Sequence, residues 1–194
     1  MYVMIICGAP GSGKGTQSDL IAEKYNLLHL STGDMLRSEV ASGSELGKTI
    51  DSFISNGELI PDELMEDLLC HRIDTLEPHI KGVILDGFPR TVAQAEALEG
   101  ILTDRKLKVD ALVDLDVRHD ELIIRLLNRG KTSGRSDDNI DTITQRLHVY
   151  AEKTMPVNNY YINKGMYHKV EGMGTRQEIL DRICSVIDKT MSQK

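Results

Sequence analysis

The chain has 194 residues, of which 40% are hydrophobic and 27% charged, and its formal net charge is −7. That length can bury one core, so we predict one compact unit. The acidic excess argues against a general nucleic-acid or membrane surface, because those partners reward basic proteins. The apolar runs fall far short of the roughly 20 residues of a spanning helix, and no basic leader precedes them, so we expect a soluble, unexported protein.

The cysteines Cys7, Cys70 and Cys184 lie far apart in the chain. They indicate neither a disulfide framework nor a zinc ribbon, and a reducing cytoplasm fits them. The six histidines show no metal-ligand spacing, so we assign them structural or surface roles by default.

Short apolar, partly β-branched runs predict five strands, at 2–7, 27–30, 82–86, 111–117 and 167–170. The longer segments between them carry apolar residues at helical spacing. Strands that alternate with helices predict an α/β fold with a mostly parallel sheet and helices on both faces.

Local signals mark several element boundaries. Thr175 and Glu178 have the spacing of a capping box and predict the start of the last helix. Pro156 should end or kink the helix that begins near Asn139. The segment 128–139 is rich in Gly, Ser and Asp and predicts a surface loop.

A glycine-rich stretch, Gly-Ala-Pro-Gly-Ser-Gly-Lys-Gly-Thr, occupies 8–16 directly after the first predicted strand. Its spacing is that of a phosphate-binding loop, in which glycines let backbone N–H groups converge on phosphate and the lysine adds a mobile charge. The alternative is a simple glycine-rich turn, but the flanking strand and helix favour phosphate binding. The candidate ATP ligands here are Gly11, Ser12, Gly13, Lys14, Gly15 and Thr16.

Gly15 departs from the general pattern of such loops. Most of them carry at this position a Ser or Thr hydroxyl that ligates Mg²⁺. Two alternatives remain: phosphates and water hold most of the metal's ligand positions, or Thr16 reaches it from the next position.

This variant of the loop resembles that of the nucleoside monophosphate kinases, where Gly also takes the place of Gly15. Other motifs follow in the order found in adenylate kinases in particular: 31–37, 57–62, 86–90 with Gln94, 125–129, 134–139 and 146–147. The resemblance covers essentially the whole chain. It implies a P-loop kinase fold with a five-stranded parallel sheet, a single kinase domain over 1–194, an AMP-binding insertion at 31–60 and a short lid at 128–138.

The resemblance further implies transfer of the terminal phosphoryl group of Mg²⁺·ATP to AMP, giving two ADP. Lys14, Arg90, Arg125, Arg135 and Arg146 would stabilise the transferring group. No general base is needed, because the acceptor is already an anionic phosphate oxygen.

The ATP site, by resemblance, also includes Arg125, Arg129 and Gly174. Arg125 and Arg129 are four residues apart and share one helix face, so the alternative for them is a solvated surface. Arg135 lies in the lid segment and would reach the phosphates only on closure, which couples water exclusion to completion of the site.

The AMP site implied by the resemblance comprises Thr32, Arg37, Glu58, Leu59, Ile60, Gly87, Phe88, Pro89, Arg90, Gln94, Arg135 and Arg146. Arg37 and Arg90 would hold the α-phosphate through bidentate guanidinium contacts. Gln94 can address an adenine edge with a donor and an acceptor. Thr32 is either a base contact or a helix cap, with Ser31 and Asp34 as the competing capping pair.

Carboxylates supply the remaining candidates. Asp86 ends an apolar strand, where it is either a turn residue or, by resemblance, the group that orients Mg²⁺-bound water. Asp137 and Asp138 either close the lid against the core or form a polar turn. We expect no structural zinc, because the short lid segment has no cysteine.

Three rival functions make different demands on the sequence. In UMP/CMP kinases of the same family the position of Thr32 is usually Ala and that of Gln94 usually Asn, so these residues favour AMP. A GTPase-type switch needs Asn-Lys-x-Asp, whereas the Asn-Lys at 163–164 is followed by Gly-Met. A non-catalytic nucleotide-binding regulator would have lost Lys14 or the arginines. We therefore expect a monomeric cytoplasmic enzyme with ATP, AMP and ADP as small-molecule partners.

Overall fold

The structure is a computed structural model and describes residues 1–133, 135 and 137–193. Five strands are found in this part of the chain: β1 (Tyr2–Gly8), β2 (Leu27–Ser31), β3 (Gly82–Asp86), β4 (Ala111–Asp116) and β5 (Tyr167–Glu171). They form one all-parallel sheet in the order β2-β3-β1-β4-β5. Each predicted strand is present, with ends within one residue of the prediction, and the predicted α/β fold is confirmed.

Helices connect the strands. They are α1 (Lys14–Tyr25), α2 (Thr32–Ala41), α3 (Glu45–Ser55), α4 (Asp62–Asp74), α5 (Val92–Asp104), α6 (His119–Ser133), α7 (Ile140–Val149), α8 (Met155–Asn163) and α9 (Arg176–Met191). Within the described residues, none of them has the length and apolar composition to cross a bilayer.

Helices cover both faces of the sheet, as the unbroken apolar sequence of β1 requires. Side chains alternate along a strand, so Val3 and Ile5 join one core cluster while Met4 and Ile6 join the other. The first cluster is completed by helices α2 to α5 and α8, and the second by α1 and α9. A strand buried on both faces needs apolar residues at every position, which is why β1 shows no alternation.

The predicted capping box is confirmed. The Thr175 hydroxyl accepts from the backbone N–H of Glu178, and the Glu178 carboxylate accepts from the backbone N–H of Thr175 at 2.7 Å.

The prediction that Pro156 ends or kinks the helix that begins near Asn139 is also confirmed. Helix α7 begins after Asn139 and gives way at Tyr150–Thr154 to a π-helical segment, from which α8 continues. Proline lacks the N–H that the preceding turn would use, so that turn is loosened.

The prediction of a surface loop over 128–139 is wrong for its first half. Helix α6 continues to Ser133, and the described residues 135 and 137–139 lie outside any helix, while Gly134 and Ser136 lie outside the described residues. Gly130 lies within this helix, and the chain that returns after α6 packs closely against it. A Cβ at this position would lie 2.7 Å from the Asp138 carbonyl oxygen.

The carboxyl ends of the strands meet at one edge of the sheet. The glycine-rich loop follows β1, and Asp86 ends the neighbouring strand β3, in register with Ile6 of β1. Thr32 directly follows β2, on the far side of β3. Open parallel sheets bind ligands at this edge, so residues far apart in sequence are brought together there.

Candidate nucleotide-binding cleft

The loop between β1 and α1 is shaped by its glycines. Gly11 has a φ of +86°, and a Cβ there would lie 2.9 Å from the Leu122 carbonyl oxygen. Gly13 has a φ of +96° and is the N-cap of α1. Because Gly13 has no side chain to cap the helix, the first N–H groups of α1 are left for another acceptor. An anion at this helix start satisfies both those donors and the helix dipole.

Lys14 folds back over the same loop. Its ammonium group donates to the carbonyl oxygens of Gly8 at 2.6 Å and Ala9 at 3.1 Å. Burial lowers the pKa of Lys14, and the nearby Asp86 charge opposes this shift. The charge is therefore held at the loop by backbone dipoles, close to where phosphate would lie.

Two adjoining cavities open at the carboxyl edge of the sheet. The larger, of about 740 Å³, is lined by the glycine-rich loop, Asp86 and Arg125, among others. The smaller, of about 70 Å³, is lined by Thr32 and Gln94, among others. Three arginines, Arg37, Arg90 and Arg146, line both cavities.

Every residue predicted to bind ATP, AMP or Mg²⁺ lines at least one of these cavities. Those found in the larger one only are Gly11, Ser12, Gly13, Lys14, Gly15, Thr16, Asp86, Phe88, Pro89, Arg125, Arg129, Arg135 and Gly174. Those found in the smaller one only are Thr32, Glu58, Ile60 and Gln94. Arg37, Leu59, Gly87, Arg90 and Arg146 line both. The structure thus brings the whole predicted set together, while their individual roles stay predictions.

Six arginines form what we call the arginine cluster: Arg37, Arg90, Arg125, Arg129, Arg135 and Arg146. Arg125 is not a solvated surface residue, since its guanidinium donates to the carbonyl oxygens of Ser12 at 3.3 Å and Gly172 at 3.2 Å. It joins the glycine-rich loop to the turn after β5. Burial lowers the pKa of Arg90, which nevertheless remains a cation at neutral pH because guanidinium is so strongly basic.

Carboxylates hold the rest of the cluster. Arg129 makes two parallel hydrogen bonds, of 2.7 and 2.6 Å, to Asp138, whose side chain is inaccessible to solvent. Arg146 pairs with Asp137 and lies 3.5 Å from Asp138. Burial lowers the pKa of Arg146 to about 10. Of the two alternatives for Asp137 and Asp138, a merely polar turn is excluded, because both are buried ion-pair partners.

A third carboxylate lies on the other side of the cleft. Asp34 pairs with Arg37 one turn along α2 and lies 3.7 Å from Arg135 in the segment after α6. The pKa of Asp34 is lowered, since its hydrogen bonds to Ser31 and Arg37 and the charge of Arg135 outweigh the opposing effect of burial. Asp34 therefore links the predicted AMP-binding insertion to the predicted lid.

Thr32 is not the helix cap. Ser31 caps α2 by accepting from the Asp34 N–H at 3.2 Å. Thr32 is buried, and its hydroxyl donates to the Asp86 carbonyl oxygen at 3.1 Å. Since the hydroxyl proton is used in this bond, Thr32 can only accept a hydrogen bond from a ligand in the smaller cavity.

His29 is a residue that the sequence reasoning missed. It lines the larger cavity, and its ring nitrogens lie 2.8 Å from Asp19 and 3.3 Å from the Asp86 carboxylate. Burial acts to lower the pKa of His29, but the hydrogen bonds to Asp86 and Asp19 outweigh it and leave the pKa raised. Arg176 at the start of α9 also lines the cavity and was not predicted. Neither residue belongs to a recognisable motif, so only the fold reveals them.

The oxygen groups beside the loop suit a hard divalent cation. Asp86 faces the start of α1, where a Cβ on Gly15 would lie 3.7 Å from its carboxylate, and the exposed Thr16 lines the same cavity. Few protein oxygens are available, which matches the preference of Mg²⁺ for phosphates and water. Within the described residues, no group of three or more His, Cys, Asp or Glu side chains is arranged around a common point, and the absence of structural zinc stays a prediction.

Comparison with known proteins places the chain in a family. A family model described as adenylate kinase matches residues 6–166. The adenylate kinase of Bacteroides thetaiotaomicron is 52% identical over 97% of this chain and 100% of its own length, and that of Bacteroides fragilis is 51% identical over 97% and 99%. The adenylate kinase of Synechococcus sp. is 46% identical over 95% and 98%. With its parallel sheet, its glycine-rich loop after β1 and these full-length similarities, the chain belongs to the adenylate kinase family.

Proposed function

We propose that this chain catalyses reversible transfer of the terminal phosphoryl group of Mg²⁺·ATP to AMP, giving two ADP. The observation that carries the proposal is the pair of adjoining cavities that share Arg37, Arg90 and Arg146. Two nucleotides bound in them would meet, phosphate to phosphate, between these guanidinium groups. An enzyme that uses a nucleotide as both donor and acceptor needs this arrangement.

ATP is assigned to the larger cavity. Its β- and γ-phosphates would accept from the first N–H groups of α1, in the loop of Gly11 to Thr16, and from Lys14. Arg125 and Arg129 would hold phosphate from the side of α6. The adenine would lie towards Gly174, which lines this cavity with Arg176.

AMP is assigned to the smaller cavity. Arg37 and Arg90 would hold its phosphate in the wall shared with the larger cavity. Its base would lie against Thr32 and Gln94. The segments Glu58, Leu59, Ile60 and Gly87, Phe88, Pro89 would form the surrounding walls, as their places in the two cavities allow.

Transfer would require positioning and charge neutralisation rather than a base. A phosphate oxygen of AMP forms a bond to the γ-phosphorus as the bond to the β-phosphate oxygen breaks, leaving ADP on each side. Lys14, Arg90, Arg125 and Arg146 would stabilise the negative charge on the transferring group. Arg135 would join them from the lid, and closure would exclude the water that otherwise hydrolyses ATP.

Asp86 would hold Mg²⁺ through water, and Thr16 would be the candidate hydroxyl ligand from the loop. When bound with ATP, the metal neutralises polyphosphate charge and orients the phosphates. The His29 contact would keep the Asp86 carboxylate facing the loop. The proposal includes a monomer in the cytoplasm without nucleic-acid or membrane partners, and the three free cysteines fit that compartment.

The acceptor preference tests this function. With saturating Mg²⁺·ATP, kcat/KM for AMP should greatly exceed that for UMP and CMP, because a wrong base leaves buried polar groups unpaired. Thr32→Ala should lower kcat/KM for AMP by an amount equivalent to roughly 1–3 kcal/mol of transition-state binding, with a smaller loss for UMP and CMP. Thr49→Ala, which removes an exposed hydroxyl on α3, is the matched control and should change none of the three.

Two results would count against these assignments. A wild-type enzyme that prefers UMP or CMP would overturn the substrate. A clear preference for AMP that Thr32→Ala leaves untouched would keep the function and remove Thr32 from the base site.

A further inference from the structure

Gln94 has a side-chain amide with a fixed partner at each end. It lies in the first turn of α5, is buried, and lines the smaller cavity. Its carbonyl oxygen accepts from the backbone N–H of Arg90 at 2.7 Å. Its NH₂ group donates to a carboxylate oxygen of Asp62 at 2.6 Å. Asp62 is the first residue of α4, so the two helices meet through this bond.

These partners determine which way the amide faces. A backbone N–H can only donate, and a carboxylate accepts. Rotating the amide of Gln94 by half a turn would place its NH₂ against the Arg90 N–H and its oxygen against the Asp62 carboxylate. Both hydrogen bonds would be lost in a buried site, so the rotated form is strongly disfavoured.

The fixed amide has one N–H and one oxygen lone pair left for a ligand. Together they match a base edge that offers a donor and an acceptor in one order. A 6-aminopurine presents an exocyclic amine as donor and a ring nitrogen as acceptor. A 6-oxopurine presents the reverse order, a carbonyl acceptor and a ring N–H donor. A freely rotating glutamine could serve both, whereas a fixed one serves only one of them.

We propose that Asp62 is a positioning residue that fixes the amide of Gln94 and thereby makes the acceptor site discriminate 6-aminopurine from 6-oxopurine nucleotides. The proposal rests on the assignment of the smaller cavity to AMP. Asp62 reaches the base only through Gln94. Removing its carboxylate leaves the Arg90 N–H as the single restraint on the amide, so the rotated form costs one mismatch instead of two.

A purely structural role for Asp62 has a clear source. It lies in the first turn of α4, where a negative charge interacts favourably with the helix dipole. Glu63 lies in the same turn and is exposed. Glu63→Gln therefore removes a comparable charge from the same helix end without touching Gln94, and it is the matched control.

The test compares AMP with IMP, which differ at position 6 in the required way. For wild type, Asp62→Asn, Asp62→Ala and Glu63→Gln, kcat/KM is measured for both acceptors with saturating Mg²⁺·ATP. In both Asp62 variants the ratio of kcat/KM for AMP to that for IMP should fall about five- to tenfold. Most of the fall should come from a higher KM for AMP, with kcat changed less than about twofold. Glu63→Gln should keep the wild-type ratio.

The outcomes separate this proposal from the function on which it rests. If both Asp62 variants use AMP and IMP less well by the same factor, Asp62 acts on stability alone and the proposal is overturned, while the function stands. If wild type phosphorylates neither purine nucleotide, both are overturned.

A measurement on wild type guards against variants that fail to fold. In nitrogen-15 NMR spectra, the assigned side-chain NH₂ of Gln94 should give proton shifts displaced from those of solvent-exposed glutamines and should exchange slowly with water, because it is buried and donates to Asp62. An NH₂ pair with the shifts and exchange rate of an exposed glutamine would show an unrestrained amide and overturn the proposal.

Discussion

The glycine-rich loop and the arginine cluster present positive charge to the same cleft in two different ways. The loop uses N–H groups at the start of α1 and one lysine, Lys14, whose ammonium group donates to the carbonyl oxygens of Ala9 and Gly8, five and six positions earlier in the chain. The cluster uses guanidinium groups from three helices and from the segments before α5 and after α6. Three of the six lie against a carboxylate of another segment, as Arg129 does against Asp138. The first arrangement is local in sequence, and the second exists only after folding.

This difference has a physical consequence. A backbone donor costs no side-chain entropy when it binds phosphate, so the loop is organised before a ligand arrives. A guanidinium held by a carboxylate must exchange that partner for phosphate or share it. The carboxylates thus orient the arginine cluster in the ligand-free protein. Its ion pairs are the part of the cleft that ligand binding would rearrange.

The largest effect should follow from breaking the loop. Lys14→Met keeps most of the length of the side chain but removes its charge. We expect kcat/KM for phosphoryl transfer to fall by at least about a hundredfold, because that charge stabilises the negative charge on the transferring phosphoryl group. A coupled assay of ADP formation measures the loss. Circular dichroism and the melting temperature should show a folded protein.

Lys24→Met is the control for Lys14→Met. Lys24 lies in the last turn of the same helix, near Cys184 and away from the cleft, so its removal should leave turnover near that of wild type. Near-normal turnover in a folded Lys14→Met protein would remove the phosphate-binding assignment.

A smaller effect should follow from breaking an ion pair of the arginine cluster. Asp138→Asn keeps the shape of the side chain but loses the paired charge opposite Arg129, and we expect it to lower the free energy of unfolding by about 1–2 kcal/mol. Urea denaturation gives the value. Asp141→Asn, at an exposed site in the first turn of α7, should cost only a few tenths of a kcal/mol. Equal losses of unfolding free energy in the two variants would show that the ion pair between Asp138 and Arg129 adds no stability beyond that of an exposed carboxylate.

The smallest effect should be the pH dependence of the stability that the ion pair between Asp138 and Arg129 contributes. Hydrogen bonding to Arg129 lowers the pKa of Asp138 despite the opposing effect of burial. Its stabilisation should therefore be fully present above the unfolded carboxyl pKa of about 4 and be lost as the pH falls through the lower folded value. The difference in unfolding free energy between wild type and Asp138→Asn should be constant from about pH 5 to 7 and shrink below about pH 4. A difference that grows on acidification would contradict the direction of the shift.

The sequence predicts the loop side of this comparison better than the arginine side. Five apolar runs identify the strands because a doubly covered parallel sheet demands continuous apolar residues, and the spacing of Gly8 and Lys14 identifies the loop because both act within a few residues. The capping box of Thr175 is predictable for the same reason.

What the sequence could not predict depends on long-range packing. The composition of 128–139 suggests a loop, yet α6 runs to Ser133, with Gly130 allowing the returning chain to pack closely. Thr32 looks like a cap candidate until the fold places its hydroxyl on the Asp86 carbonyl. His29 carries no local signal, since its role comes from the pairing of β2 with β3, which places it beside Ile84, two residues before Asp86.

Adjacent donor and acceptor sites in one cleft can be tested with a single ligand, two adenosines joined by five phosphates. It should bind wild type with one molecule per chain, far more tightly than ATP or AMP, because it satisfies Lys14 and the arginine cluster at once. At a concentration about a thousandfold above its Kd the analogue should stabilise the fold by about 4 kcal/mol, whereas the same concentration of AMP, which binds more weakly, should raise the melting temperature much less. Melting curves that overlay for the analogue and for AMP at this equal concentration would contradict two adjacent nucleotide sites.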